Sequence, residues 1–166
     1  MGLQDRSVVA EKGCTRVFVG TFEHGLDEKG RLILPSAFRD AFATGGYLTK
    51  SLEGCLALMG EAEFQAQYEH RMRLASAGRV ARNAARAFMA GSVPIVPDKQ
   101  GRIAIPAKLR EFADLDRTCV VNGFGERIEI WSDERWAVNG AEGDEALLEG
   151  DEAEAHLQLM LREDSL

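Results

Sequence analysis

One thirteen-residue pattern occurs twice in this chain, and any fold that accepts the sequence must accommodate both copies. The first copy is Asp27-Glu28-Lys29-Gly30-Arg31-Leu32-Ile33-Leu34-Pro35-Ser36-Ala37-Phe38-Arg39; the second is Asp98-Lys99-Gln100-Gly101-Arg102-Ile103-Ala104-Ile105-Pro106-Ala107-Lys108-Leu109-Arg110. Both read Asp-x-x-Gly-Arg-apolar-x-apolar-Pro-x-x-apolar-Arg, at a constant offset of 71 residues. The likeness extends outward. Gly20-Thr21-Phe22 answers Gly91-Ser92-Val93, and Leu56-Ala57-Leu58-Met59 answers Ile128-Glu129-Ile130-Trp131 at an offset of 72, so a loop between them gained one residue. Self-similarity over a whole segment marks a duplicated module, and two copies of roughly 45 residues form a tandem pair rather than a solenoid.

Each copy predicts the same local structure. Phe22, His24 and Leu26 alternate with Thr21, Glu23 and Gly25, as in a half-buried strand, and His24 reads as a packed histidine because no second His or Cys stands at ligand spacing. Asp27 to Gly30 reads as a turn, with the aspartate accepting backbone N–H groups and the glycine supplying positive φ. A second strand follows at Arg31-Leu32-Ile33-Leu34 and ends at Pro35, which has no N–H for a ladder. Ser36 is placed to cap a short helix carrying Phe38, Ala41 and Phe42. Two more strands, Tyr47-Leu48-Thr49 and Cys55 to Met59, close the first half around Leu52-Glu53-Gly54. In the second half Cys119-Val120-Val121 and Arg127 to Trp131 enclose Asn122 to Glu126. Each half therefore holds four short strands and a helix. Each alone would be marginal in size, so the halves are expected to share one core.

Between them, Glu61 to Met89 is Ala-rich and free of proline, with Gly78 as its break, which predicts two helices of about 14 and 11 residues. Arg79, Arg82 and Arg86 fall on one face of the second, as a solvated face, a subunit contact or a basic DNA face. Residues 1–16 read as a flexible leader, and the chain after Trp136 as a loosely held acidic tail with a helical turn or two between Ala153 and Leu161. No run of about 18 uncharged apolar residues and no signal-peptide centre occurs, so the chain is expected to be cytoplasmic. Cys14, Cys55 and Cys119 are too widely spaced for a zinc site and read as ordinary small residues.

A formal charge of −7 looks unsuited to a polyanion until it is divided along the chain. Residues 132–166 hold eleven acids against Arg135 and Arg162, so that segment carries −9 and the other 131 residues carry +2. The body is open to nucleic acid and the tail is not. Enzyme motifs are missing: there is no phosphate loop, nucleophile elbow or metal-binding histidine pair. Asp27 and Asp98 as an acid/base dyad is the weaker reading beside their role as turn caps. The duplication does supply a pair of arginines, Arg31 and Arg102, each just after an Asp-Gly turn. A planar, permanently charged guanidinium on a rigid turn suits a guanine edge or a phosphate, and two related copies suit a duplex. Lys29, Lys99 and Lys108 add charge nearby. The competing reading is that Asp27 and Arg31 merely brace the turn, as a surface pair worth about 1 kcal/mol or less.

The double module is similar to the SpoVT/AbrB superfamily of swapped-hairpin DNA-binding barrels. Its tandem form has Leu26-Asp27-Glu28-Lys29-Gly30-Arg31 near the start, Phe88-Met89-Ala90-Gly91 before the second copy and Ile128-Glu129-Ile130-Trp131 near the end. In that form it resembles the MraZ family of bacterial regulators over residues 17–138. The resemblance implies a regulator, usually a repressor, of the division and cell-wall gene cluster in whose first position its own gene lies. It implies binding to short repeated promoter boxes, association with the nucleoid and assembly into rings. The family's Asp-x-x-x-Arg element falls on Asp27 and Arg31 and again on Asp98 and Arg102, the arginine being the DNA contact.

The expectation is an α+β fold of two tandem AbrB-like swapped-hairpin β-barrel halves with pseudo-twofold symmetry, joined by helices. Its segments are a leader at 1–16, a first repeat at 17–62, linking helices at 63–90, a second repeat at 91–137 and an acidic tail at 138–166. The expected DNA-binding residues are Arg31, Arg102, Lys29 and Lys99, supported by Asp27, Gly30, Asp98 and Gly101. The partners are double-stranded promoter DNA and further copies of the chain in a ring. No membrane, small-molecule substrate, cofactor, metal or catalytic residue is called for. The alternative is a ring-forming interaction protein whose basic face binds an acidic protein partner.

Overall fold

A computed structural model describes residues 16–150 and, beyond them, Ala155, His156, Gln158, Leu159 and Leu161. The expected leader lies outside the described residues, apart from Arg16. The chain divides into two units, the first ending at Ser132 and the second starting at Asp133.

In the first unit each motif copy is built alike. Strand β1 (Thr21–Gly25) leads into the first turn, then β2 (Arg31–Ile33) and helix α1 (Ser36–Arg39), which tightens into a 3-10 turn at Asp40–Phe42. Strands β3 (Gly46–Lys50) and β4 (Leu56–Met59) complete the half. Helices α2 (Glu61–Ala75) and α3 (Arg79–Ala90) follow. The second half repeats the order with β5 (Val93–Ile95), β6 (Arg102–Ala104), α4 (Ala107–Phe112), β7 (Thr118–Phe124) and β8 (Arg127–Ser132). The caps differ from expectation. Pro35 and Pro106 occupy the N-cap positions and no side chain caps either helix, so Ser36 is the first helical residue rather than the cap. The Pro35 carbonyl accepts from Phe38 N at 2.9 Å and Arg39 N at 3.1 Å. The second hairpin is also tighter than expected, because β7 runs on through Asn122 and Gly123 to Phe124.

The strands pair across the halves. A six-stranded antiparallel sheet has the order β1-β7-β8-β4-β3-β5, and β2 and β6 form a separate antiparallel pair. Thus β1 of the first half lies against β7 of the second, and β5 of the second against β3 of the first. No closed barrel forms among the described residues. At the centre Leu32 stands opposite Ile103, and Leu34 N donates to Gly101 O at 2.9 Å while Ile105 N donates to Gly30 O at 3.0 Å. These reciprocal bonds give the two motifs an approximate twofold relation.

The apolar letters of the motif form the core. Leu32, Leu34 and Phe38 from the first copy and Ile103, Ile105 and Leu109 from the second are at most 3% exposed. They pack with Leu48, Leu56, Leu58, Ile128 and Ile130 from the inner face of the large sheet. Removing apolar area from water is the main favourable term in folding, and both halves contribute to this one cluster. Cys55 and Cys119 are buried, and burial pushes the Cys55 thiol up to about 12.

The second unit begins with more helix than the expected tail. Helix α5 runs through Asp133–Glu149, across Gly140 and Gly143. Each of those glycines costs about 1 kcal/mol relative to alanine. Asp133 and Glu134 in the first turn suit the helix dipole, and Ala, Glu and Leu elsewhere are good helix formers. None of its residues is buried. Among the described residues no helix is long and apolar enough to cross a membrane.

Candidate nucleic-acid interface

The two Asp-Gly turns are near copies. Asp27 Oδ1 accepts from Lys29 N and Arg31 N, both at 2.9 Å, and Asp98 Oδ1 accepts from Gln100 N at 2.9 Å and Arg102 N at 3.0 Å. The other carboxylate oxygen accepts from the arginine Nε at 2.7 Å in each copy. Backbone bonds close the loop: Gly30 N donates to Asp27 O and Asp27 N to Arg31 O, both at 2.9 Å, with the same distances in the second turn. Gly30 and Gly101 sit at φ of +72° and +75°, where a side chain is disfavoured. Donation to the carboxylates, led by the backbone N–H of Arg31 and of Arg102, holds Asp27 and Asp98 below the usual carboxylate range. The bracing pair therefore exists in both copies.

Bracing uses only part of each arginine. Nε is engaged, and among the described residues the terminal Nη groups of Arg31 and Arg102 have no hydrogen-bond partner. The side chains are 30% and 25% exposed, so each guanidinium is partly sheltered against its turn. Lys29 and Lys99 are exposed at the turn tips, and Lys108 is exposed on α4.

Strand register puts the two arginines on one surface. Leu32 and Ile103 point into the core, so Arg31 and Ile33 on β2 and Arg102 and Ala104 on β6 point the other way. Arg31 pairs with Ala104 and Arg102 with Ile33, which makes the arginines diagonal neighbours, with Cβ atoms on the order of 7 Å apart. Ile33, 44% exposed, lies directly across from Arg102. It was not among the expected site residues, although the apolar-x-apolar spacing does turn it outward.

Arg39 and Arg110 were also missed. They are the last letter of the motif, and each crosses to the other copy. A Cβ on Gly30 would lie 2.6 Å from Arg110 Cζ, and one on Gly101 would strike the Arg39 side chain. Arg39 Nη2 donates to Leu34 O at 2.9 Å. The Nε atoms of Arg39 and Arg110 are both buried without a partner. Each glycine thus makes room for the arginine of the opposite module as well as for its own turn. Their recurrence in both copies was the available signal. Burial, then the charge of Arg39, lowers the pKa of His24, which is half-buried on β1.

The fold and its paired turns define a duplicated α+β module whose two copies exchange strands and pair their arginine turns. The family model for the MraZ protein, described as antitoxin-like, matches residues 17–87 and again 88–158. The chain belongs to the MraZ family, whose curated relatives are named as transcriptional regulators and not enzymes. It is 43% identical to the transcriptional regulator MraZ of Micrococcus luteus over 136 residues, 82% of this chain and 95% of that protein. It is 45% identical to that of Kocuria rhizophila over 120 residues, 72% of this chain and 84% of the relative. For the Salinispora tropica relative the figures are 43% over 129 residues, 78% and 91%.

Proposed function

We propose that this chain is a sequence-specific repressor that binds repeated boxes in double-stranded promoter DNA of the division and cell-wall gene cluster. It would act in the cytoplasm at the nucleoid, as a homo-oligomeric ring. The observation that carries this reading is the outward face of β2 and β6. Two guanidiniums, each clamped through Nε, present their Nη groups side by side over an Asp-Gly turn. A fixed guanidinium suits bidentate contact with guanine or phosphate, and Ile33 beside them suits a thymine methyl. Lys29 and Lys99 at the tips would neutralise phosphate. The exchange of β1 and β5 between halves supports the swapped-hairpin AbrB-like architecture, with repeats at 17–62 and 91–137 and linking helices at 63–90.

One subunit then makes one compact contact. A few neutralised phosphates bind weakly, so linked subunits supply affinity by making later contacts intramolecular. The boxes should stand in series on one DNA face, near one helical turn of about 10 bp apart. The test is a shift assay on DNA just upstream of this protein's own gene with excess unrelated duplex. Arg31→Ala and Arg102→Ala should each weaken binding about tenfold or more, with melting temperature close to wild type. Inserting half a turn between two boxes should cost as much as deleting one. Wild-type binding by both variants would leave the arginines as turn braces and point to the acidic-protein alternative.

A further inference from the structure

The face of the large sheet that meets α2 and α3 is packed unlike the core face. Alternation along β3, β4 and β8 turns Thr49, Ala57 and Glu129 toward the helices in one cross-strand row, and Tyr47, Met59 and Arg127 in the next. The Tyr47 row is covered, since Tyr47 stacks on Phe64 at 4.0 Å and Phe64 on Phe88 at 5.8 Å. The Thr49 row is buried but incompletely filled. Ala57 in the sheet and Ala84 and Ala87 on α3 are too small to fill the space between them, and a cleft of about 400 Å³ remains.

That cleft is cationic. Arg71 of α2, Arg127 of β8 and Lys50 of β3 line it, and among the described residues no acid does. Glu129, 7% exposed, accepts from Arg127 Nη2 at 3.3 Å and from Trp131 Nε1 at 3.1 Å, so its carboxylate is already engaged. Arg71 lies over the Phe88 ring, its Cζ 4.0 Å from the centroid, and donates to Gln67 Oε1 at 2.7 Å. Burial, then the charge of Arg127, lowers the pKa of Arg71, as expected of two guanidiniums facing one site. Two polar atoms are left over. Thr49 Oγ1, on a residue only 1% exposed, and Arg127 Nε are both buried without a partner. Buried polar groups are nearly always paired, so a hydroxyl and a guanidinium nitrogen left over on two residues that line one cleft point to an acceptor missing from it.

We propose that this cleft binds a small amphipathic anion, whose phosphate or carboxylate sits between Arg71 and Arg127 and accepts from the Thr49 hydroxyl. Its apolar body packs against Phe88, Phe112 and the alanines. The volume is that of a small-ligand pocket. The site lies across the large sheet from β2 and β6, so it is distinct from the arginine turns. It draws on β3 and β4 of the first half, β8 and α4 of the second and the two helices between, so an occupant touches both halves and the helices that link them.

Calorimetric titration of the full-length protein, without DNA, tests this with phenyl phosphate, benzoate and the neutral control phenol. At least one anion should bind saturably and phenol should not; the tighter anion identifies the headgroup. Thr49→Val keeps the volume and removes the hydroxyl. It should weaken the anion about tenfold or more, while the unliganded melting temperature stays at or above wild type because the orphan group is gone. Arg71→Gln should weaken it at least as much. Failure of both anions to bind wild type overturns the proposal, as does equal affinity in wild type, Thr49→Val and Arg71→Gln. Absence of binding together with a smaller particle for Arg71→Gln would assign the cleft to a contact between copies instead.

Discussion

Glycine and aspartate set the geometry of each turn, and their effects separate by position. Gly30 and Gly101 combine positive φ with a crossing arginine side chain, so Gly30→Ala and Gly101→Ala should each cost about 1–3 kcal/mol in denaturant unfolding. Gly60, the N-cap of α2 at φ −72° with open space around it, is the control, and Gly60→Ser should change stability by about 0.5 kcal/mol or less. Equal losses at all three would remove the crossing arginines from the account. The aspartates give a pH signature. Their folded pKa values lie below the ordinary 3.8, so their stabilisation is fully present above that pH and is lost as pH falls through the folded values. The Asp27→Asn/Asp98→Asn double variant should melt below wild type at pH 7, with the gap narrowing below about pH 4. A gap independent of pH would mean that the carboxylate charge plays no part.

Among the elements, α3 carries two faces with separate tasks. Ala85 and Phe88 are buried against the fold, while Arg79, Arg82 and Arg86 are exposed, as the spacing predicts. Arg86 donates to Asn83 at 2.8 Å and Arg82 only reaches the Ala75 carbonyl at 3.5 Å, so neither arginine is held by an acid. Phe88→Ala should destabilise by about 3–5 kcal/mol, because the ring is 6% exposed and anchors the helix pair through Phe64 to Tyr47. A loss under about 1 kcal/mol would show that the helices dock some other way. These helices were legible because alanine-rich composition without proline is a local signal. Helix α5 was less so: its glycines and acids read as a tail, yet summed propensity outweighs two glycines.

At the scale of the whole molecule, exchange of strands makes the halves interdependent. β1 needs β7, β5 needs β3, and β2 and β6 need each other. An isolated first half, residues 17–90, should therefore fold only by pairing with a second copy. Sedimentation should find a folded dimer or an unfolded monomer; a folded, cooperatively melting monomer would contradict the shared core.

The duplicated letters alone determined the turns, the strand and helix order, the core residues Leu32, Leu34, Phe38, Ile103, Ile105 and Leu109, and the pair Arg31 and Arg102. Each of these follows from local chemistry: aspartate accepts nearby N–H groups, glycine tolerates positive φ, and apolar residues two apart share a face. Only tertiary structure decided that Thr21 meets Asn122, 101 positions away, and that both arginines share one outward surface. It also decided that Arg39 and Arg110 each lie over the other module's glycine, and that Thr49 and Arg127 line one cleft with a side-chain atom of each unpaired. The period of a strand tells which side chains share a face and says nothing about which distant strand supplies its hydrogen bonds; that choice is made by long-range packing.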